Sequence, residues 1–354
     1  MCQDALHPFL AALPKCEHHL HLEGSLSPEL LFQLAAKNGI TLPESDPAFA
    51  SPSALYERYE YFANLDDFLH YYYIGMTTLL DAQDFESLAY AYFVKAASQG
   101  VRHAEVFFDP QAHTSRGVSF NALVDGFQAA QRKASIELGL SSELIMCLLK
   151  HLPLADALST FEMAHAANHF HNGSFAGIGM DSSEVPFPPP MWKDLFDVAK
   201  AAGVRRTIHA GEEAAAHCVT QALDILSVQR IDHGRTAADD PELLARLSEE
   251  QIMLTTCPLS NLKLQGIKEM KDFPLRKFLD AGVRISINSD DPAYFGGYIL
   301  ENYCALQENF NLDIHEWVGI AKGAVLGSWC SEERKAEILS EIDDLLSKWT
   351  EKAA

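Results

Sequence analysis

The sequence predicts an α/β fold of the (β/α)8 TIM-barrel class, with extra helices inserted after the first strand. Three observations predict it. Short runs rich in β-forming residues alternate with amphipathic helical stretches along the chain. The runs number eight, the count of a parallel (β/α)8 barrel. Polar side chains able to do chemistry stand at the carboxyl ends of five runs, where such barrels gather their active groups. A doubly wound open sheet is the runner-up, but it gives no reason for polar residues at so many strand ends.

The expected strands are residues 15–22, 101–108, 143–150, 175–181, 206–210, 230–233, 252–257 and 284–288. On the first, His19 and His21 alternate and therefore point to one face, while His18 points to the other and packs against surrounding helices. The longest insertion follows, residues 26–98, with a Pro/Ser-rich loop at 42–53 and an aromatic helical region at 56–80. Its Tyr71-Tyr72-Tyr73 series reads first as core packing and second as a wall or lid over a pocket. After the second strand comes the loop 108–117, where an Arg116–Asp109 ion pair competes evenly with a substrate-lid role. Amphipathic helices are expected at 121–138, 191–202, 219–226 and 241–249. No repeat, low-complexity tract or linker divides the chain, so residues 1–354 are read as one domain.

With 354 residues, 48% of them hydrophobic and 21% charged, the chain can build a large core. It carries 27 basic and 49 acidic residues, a net charge of −22. Such acidity repels phosphate backbones, so nucleic-acid partners are not expected. Seven scattered cysteines without a Cys-x-x-Cys pair point to buried free thiols in a reducing compartment. Neither a signal peptide nor an apolar run long enough to span a bilayer is present. The expectation is a cytoplasmic protein, or one also nuclear, that meets no membrane.

Four clusters carry the chemistry: His18-His19-Leu20-His21-Leu22-Glu23-Gly24, His209-Ala210-Gly211-Glu212, Ile231-Asp232-His233-Gly234 and Asn288-Ser289-Asp290-Asp291-Pro292. A lone histidine at a strand end is usually structural. Together these clusters supply nitrogen and oxygen ligands plus spare acid–base groups, which suits a mononuclear zinc hydrolase. Residues His165, His169 and His171 could share a helix face, but they lack a strand-end position and a carboxylate. They are read as exposed or capping histidines.

In these motifs the chain resembles the adenosine/adenine deaminase family. The matching segments are 14–24, 209–212, 233–234 and 289–292, in the same order, and the resemblance runs over roughly residues 13–340. It implies one zinc ion held by His19, His21, His209 and Asp290, a donor set that fits zinc and makes water a source of hydroxide near neutral pH. By the same resemblance Glu212 protonates the purine ring nitrogen N1 as C6 is attacked, and His233 orients the attacking group. Asp290 combines ligation with proton shuttling, and Asp291 hydrogen-bonds N7.

Two departures separate this chain from typical adenosine enzymes. Glu23 stands where they generally carry Asp, and Asp181-Ser182-Ser183-Glu184 replaces their usual turn after the fourth strand. Glu23 is expected to fill space that a sugar needs. Ser182 is expected to present a backbone N–H to N3, and Glu184 a carboxylate to the N9 side. The expected reaction is hydrolysis of adenine, a small-molecule purine substrate, to hypoxanthine and ammonia in purine salvage. The alternatives are adenosine deamination, or less readily another zinc amidohydrolase. A non-enzymatic binding protein would have lost a ligand or the acid, and none is missing.

Overall fold

The computed structural model describes residues 4–353 as an all-parallel α/β fold. One sheet contains β1 (Lys15–Glu17), β2 (Val101–Phe108), β3 (Ser141–Leu149), β4 (Gly177–Asp181) and β5 (Arg205–Arg206), in that order. The second contains β6 (His209–Ala210), β7 (Arg230–His233), β8 (Met253–Thr256) and β9 (Ile285–Ile287). Every neighbouring pair is parallel. The strands are buried nearly throughout because helices cover one face and their own side chains fill the other, the pattern that selects continuous apolar runs.

The strand expected at 206–210 is two pieces, β5 and β6. Between them Thr207 donates its N–H to Ile178 O (3.0 Å) and its hydroxyl to Asp232 Oδ2 (2.7 Å), while Ile208 O accepts from Asp232 N (2.9 Å). Residues 207–208 therefore hydrogen-bond to both sheets. The first strand also stops early, at Glu17 rather than at residue 22. His18 N–H goes to the Asn288 side chain (2.7 Å) instead of a ladder partner, and Leu20 and His21 resume pairing as isolated bridges to Asp290 and Phe107.

The insertion after β1 folds into four main helices, Pro28–Asn38, Pro52–Tyr59, Leu65–Met76 and Ala82–Ser98. Each begins at a capping side chain: Ser27, Ser51, Asn64 and Asp81 accept N–H bonds from the first turn. Helix Leu65–Met76 packs its rings against the segment after β9, with Phe68–Phe295 centroids 4.7 Å and Phe68–Tyr294 centroids 5.3 Å apart, and Tyr59 of the preceding helix adds a contact to Tyr294 at 4.6 Å. Both readings of the tyrosine series hold: Tyr71 and Tyr72 are buried, while Tyr72 and Tyr73 also face the main cavity.

Between the sheets, Arg230 and Glu105 form a fully buried ion pair, with Trp329 stacked 4.1 Å from the guanidinium. Glu105 also accepts from the Trp329 backbone N–H and faces His103 Nε2 at 3.2 Å. Breaking such a pair from one side leaves a buried charge without a partner. Arg230→Met or Glu105→Gln should therefore cost roughly 3–5 kcal/mol in urea denaturation. A loss below about 1 kcal/mol for either variant would show that the pair does not hold the two sheets.

Candidate active site

The strand ends deliver the predicted residues to one place. Two bonds bring the first segment to the last: Asp290 N–H donates to His19 O (3.0 Å) and His21 N–H to Asp290 O (3.0 Å). As a result His19 Nε2 lies 3.2 Å and His21 Nε2 3.5 Å from Asp290 Oδ1, and His21 Nε2 faces His209 Nε2 at 3.1 Å. One donor atom from each of His19, His21, His209 and Asp290 falls within 4.8 Å of the others. All four residues are buried, and His19 Nε2 has no hydrogen-bond partner. Nitrogen lone pairs converging on a carboxylate in a dry interior are the donor set of a divalent cation.

A layer of acceptors behind the rings fixes them. His19 Nδ1 meets Thr255 Oγ1 at 3.0 Å, and Thr255 and Thr207 both donate to Asp232, which lies 3.6 Å from His209 Nδ1. Such outer contacts orient a ring and leave its far nitrogen free to ligate. Lys150 Nζ holds His209 O (2.7 Å), and Glu17 accepts both the N–H (2.9 Å) and the hydroxyl (2.6 Å) of Ser289. The chemistry-bearing clusters did not single out Asp232, Lys150 or Glu17 for these roles. Their signal was their position: Asp232 precedes a functional histidine, Glu17 lies two residues before one, and Lys150 ends a buried strand.

Electrostatics favours the neutral form of His21 and His209, while in His19 burial is outweighed by the Asp290 charge and the ring is raised. Burial lowers His21 to about 3 and takes His209 well below the ordinary imidazole range, with the neighbouring His19 and His233 adding to the effect on His209. Burial followed by the Asp290 charge raises Glu212 well above the usual carboxylate range. A shift in this direction favours the protonated form, which a general acid requires. His233 Nε2 stands 3.5 Å from Glu212 Oε2 and 3.8 Å from Asp290 Oδ2. His233 and Asp290 both adopt left-handed φ (62° each), a conformation costing roughly 1–2 kcal/mol in such residues and concentrated at functional sites.

These groups line a cavity with about 390 Å³ of empty volume, closed on one side by Leu65, Phe68 and Tyr72. Glu212, His233, Asp290, Asp291 and Ser182 all face it, as expected. Asp291 Oδ1 is buried and unpartnered, and a Cβ on Gly24 would stand 1.9 Å from it, so only glycine fits at position 24. Ser182 sits at φ 75°, its hydroxyl 2.7 Å from His151 Nδ1.

Two expected site residues do not face the cavity. Glu184 accepts backbone N–H bonds from Gly211, Glu212 (3.1 Å), Glu213 (2.8 Å) and Ala214 (2.9 Å). Its carboxylate is committed to the turn that carries Glu212, so it does not reach the N9 side of a substrate. Glu23 Oε1 accepts from Asp109 N–H (3.1 Å) and pairs with His113 Nε2 (3.0 Å), behind the cavity surface. It does not fill sugar space itself. Arg116 forms neither an ion pair with Asp109 nor a lid: its guanidinium bonds the carbonyls of Ala112, Met76, Thr77 and Leu79 and meets His113 Nδ1 at 2.9 Å. His165 and His169 are half-buried packing groups, stacked on Phe161 (5.8 Å) and tilted over Phe175 (4.8 Å), rather than exposed or capping. His18 packs as expected, its Nε2 2.6 Å from Ser328 Oγ at the end of helix Ile314–Gly327.

Comparison with known proteins agrees with this geometry. Adenine deaminase of Schizosaccharomyces pombe is 55% identical over 345 residues, 98% of this chain and 94% of its own length. The crystal structure of adenine deaminase from Arthrobacter aurescens superposes with a TM-score of 0.90 at 41% identity, covering 95% of this chain and 100% of that one. A zinc-bound amidohydrolase structure from Burkholderia ambifaria gives a TM-score of 0.87 at 27% identity, covering 98% and 95%. The adenosine deaminase family profile matches residues 14–345. The chain belongs to the adenosine deaminase family.

The placement of Glu184 has a measurable consequence. Glu184→Ala removes the acceptor of four N–H groups in the 211–214 turn and should lower unfolding stability by about 3 kcal/mol, given that hydrogen bonds to charged groups contribute about 1.5–3 kcal/mol. Glu184→Gln should recover part of that loss in chemical denaturation. Stability unchanged in both variants would mean that the turn does not depend on this carboxylate.

Proposed function

We propose that this chain is an adenine deaminase, hydrolysing adenine to hypoxanthine and ammonia in purine salvage. The observation that carries the reading is one cavity lined by His21, His209, Asp290, Glu212, His233 and Asp291, with His19 completing the donor cluster behind it. An acid aimed into a site beside an unpartnered carboxyl suits a heteroaromatic amidine better than an amide or ester. The relatives named above support adenine as the substrate.

Within this reading His19, His21, His209 and Asp290 hold one zinc ion, supported by the convergence of their donor atoms and the neutral state of His21 and His209. Zinc bound there would supply charge stabilisation and bring a water close to deprotonation near pH ~7. The chain's own groups do the rest. Glu212 gives its proton to N1 as the water oxygen adds at C6, which neutralises the negative charge developing on that nitrogen. His233, between Glu212 and Asp290, takes the proton released by the water and passes it to the amino group; the C6–N bond then breaks to release ammonia, and the C6 hydroxyl proton returns to Glu212 as the carbonyl forms. Asp291, raised well above the carboxylate range by burial and then by Asp290, has an O–H to donate to N7. Ser182 closes the cavity on the N3 side.

We read the two sheets as one closed (β/α)8 barrel, counting β5 and β6 as halves of its fifth strand. The Thr207–Ile178 bond at one junction and the His19–Asp290–His21 bonds at the other support this closure. The whole chain is then one domain. Buried cysteines that form no disulfide among the described residues support a reducing, cytoplasmic setting, and no helix among the described residues is long and apolar enough to cross a membrane.

Three measurements test the reading. Absorbance-monitored turnover by metal-replete protein should show a higher kcat/KM for adenine than for adenosine. An adenosine value equal or higher would reassign the substrate and keep the chemistry. Elemental analysis should find one zinc per chain in the wild type and little in His19→Ala, His21→Ala or His209→Ala. Full occupancy in the His209 variant would remove that residue from the ligand set. Glu212→Gln should keep zinc and bind adenine yet lose about 10²–10⁴-fold in kcat, the range of a lost general acid. A near-normal rate in the loaded variant would exclude Glu212 as the proton donor.

A further inference from the structure

Asp109 ends the strand that carries Phe107 and Phe108, and it faces the main cavity although it is only 1% exposed. Its Oδ2 accepts from Tyr72 Oη at 3.3 Å, while its Oδ1 is buried without a hydrogen-bond partner. A buried polar atom without a partner is uncommon, and one that faces a cavity has a place for a ligand donor. Neither the mechanism above nor any sequence motif uses this group.

Its neighbours fix which part of a purine it would meet. The consecutive residues Glu23 and Gly24 reach both segments: Glu23 Oε1 accepts the backbone N–H of Asp109 at 3.1 Å, and Gly24 lies directly against the Asp291 carboxyl. Asp109 and Asp291 line the same cavity with Tyr72 near both, and Asp181 stands beside Asp109, a carboxylate oxygen of each lying within 4.8 Å of the other. In a purine, N7 and N9 flank the single carbon C8 of the five-membered ring. A base whose N7 meets Asp291 presents its N9 edge to the adjacent group.

From this geometry we propose that Asp109 is the specificity-determining residue for the free base, its Oδ1 accepting the N9–H that adenine has and a nucleoside lacks. The inference rests on the adenine reading above and extends it to the source of selectivity. Either protonation state of the carboxyl leaves an acceptor lone pair at Oδ1, so the recognition does not depend on its titration. An N9-substituted purine loses the hydrogen bond, leaves Oδ1 buried and unpaired, and places carbon against a polar wall. That combination discriminates far more strongly than added bulk alone, by about 10⁴–10⁵-fold where a site is built to hydrogen-bond an N–H. Glu23 becomes a positioning residue: it acts through the Asp109 N–H, and its own second contact, His113, is held in turn by Arg116.

The test compares adenine with 9-methyladenine, the smallest N9-substituted analogue, in wild type, Asp109→Ala and Asp109→Asn, all checked for zinc content. Asp109→Ala should lower kcat/KM for adenine by about 10²–10³-fold and leave that for 9-methyladenine unchanged or raised, so the ratio collapses. Asp109→Asn is nearly isosteric and covers the case in which the alanine variant does not fold. With Tyr72 donating to its amide oxygen, its NH2 would oppose the N9–H, and adenine should again be the substrate that suffers. Equilibrium binding of hypoxanthine against 9-methylhypoxanthine should show the same loss of preference without turnover. If both substrates fall by one common factor, or neither falls, Asp109 is not the selector. Wild type inactive on adenine would overturn the adenine reading itself, and the inference with it, whereas an active wild type with unchanged ratios in the variants overturns the inference alone.

Discussion

The crossing of the first strand segment with the segment after the last is the contact on which the site depends. Asp290 donates to His19 O and accepts from His21 N–H, a pair of backbone bonds between the first strand segment and the segment after the last strand. Backbone bonds of this kind set position more tightly than side-chain contacts do, because they leave no rotamer to vary. They place two imidazoles against one carboxylate before any ligand is present. The left-handed backbone at Asp290 and His233 is held by the same frame, since a strained residue persists only where its surroundings over-determine it.

Around that crossing the molecule sorts its buried carboxyl groups by what faces them. Glu17, Glu105, Glu184 and Asp232 are supplied with donors: a serine, an arginine, four backbone amides, two threonines. They behave as fixed acceptors that shape the scaffold. Asp109, Asp181, Asp291 and Glu212 face the cavity with few donors or none, and each is raised first by burial: Asp109 to about 7, the others well above their ordinary range. Within the first set Glu105 and Glu184 are held below the ordinary carboxylate range, whereas burial still raises Glu17 and Asp232 despite their donors; the second set is costly to ionise. A buried carboxyl without protein donors is destabilising by itself, which makes the second set expensive for the fold and useful to a ligand.

The insertion after β1 supplies the part of the cavity that the strands cannot. Strand ends carry side chains on a rim; they do not exclude water above it. Helix Leu65–Met76 covers the rim with Leu65, Phe68 and Tyr72, and its aromatic contacts with Tyr294 and Phe295 tie that cover to the turn holding Asp290 and Asp291. Excluding water in this way strengthens every electrostatic contact inside.

The sequence alone determined the alternation of strands and helices, the ordered motifs and the residues that converge: His19, His21, His209, His233, Glu212, Asp290 and Asp291. These are legible because strand periodicity and strand-end position are local properties. Strand ends at 101–108 and 230–233 were read to the residue for the same reason. The early stop at Glu17 and the break at 207–208 were not, because they follow from partners in other strands, Asn288 in one case and Ile178 in the other. Only the tertiary structure decided that Glu184 anchors a turn, that Glu23 stands behind Asp109, and that Asp109 rather than either of them faces the cavity. A carboxylate has the same chemistry wherever it occurs in a chain. Its role is set by which donors reach its two oxygens, and those donors come from segments tens to hundreds of residues away.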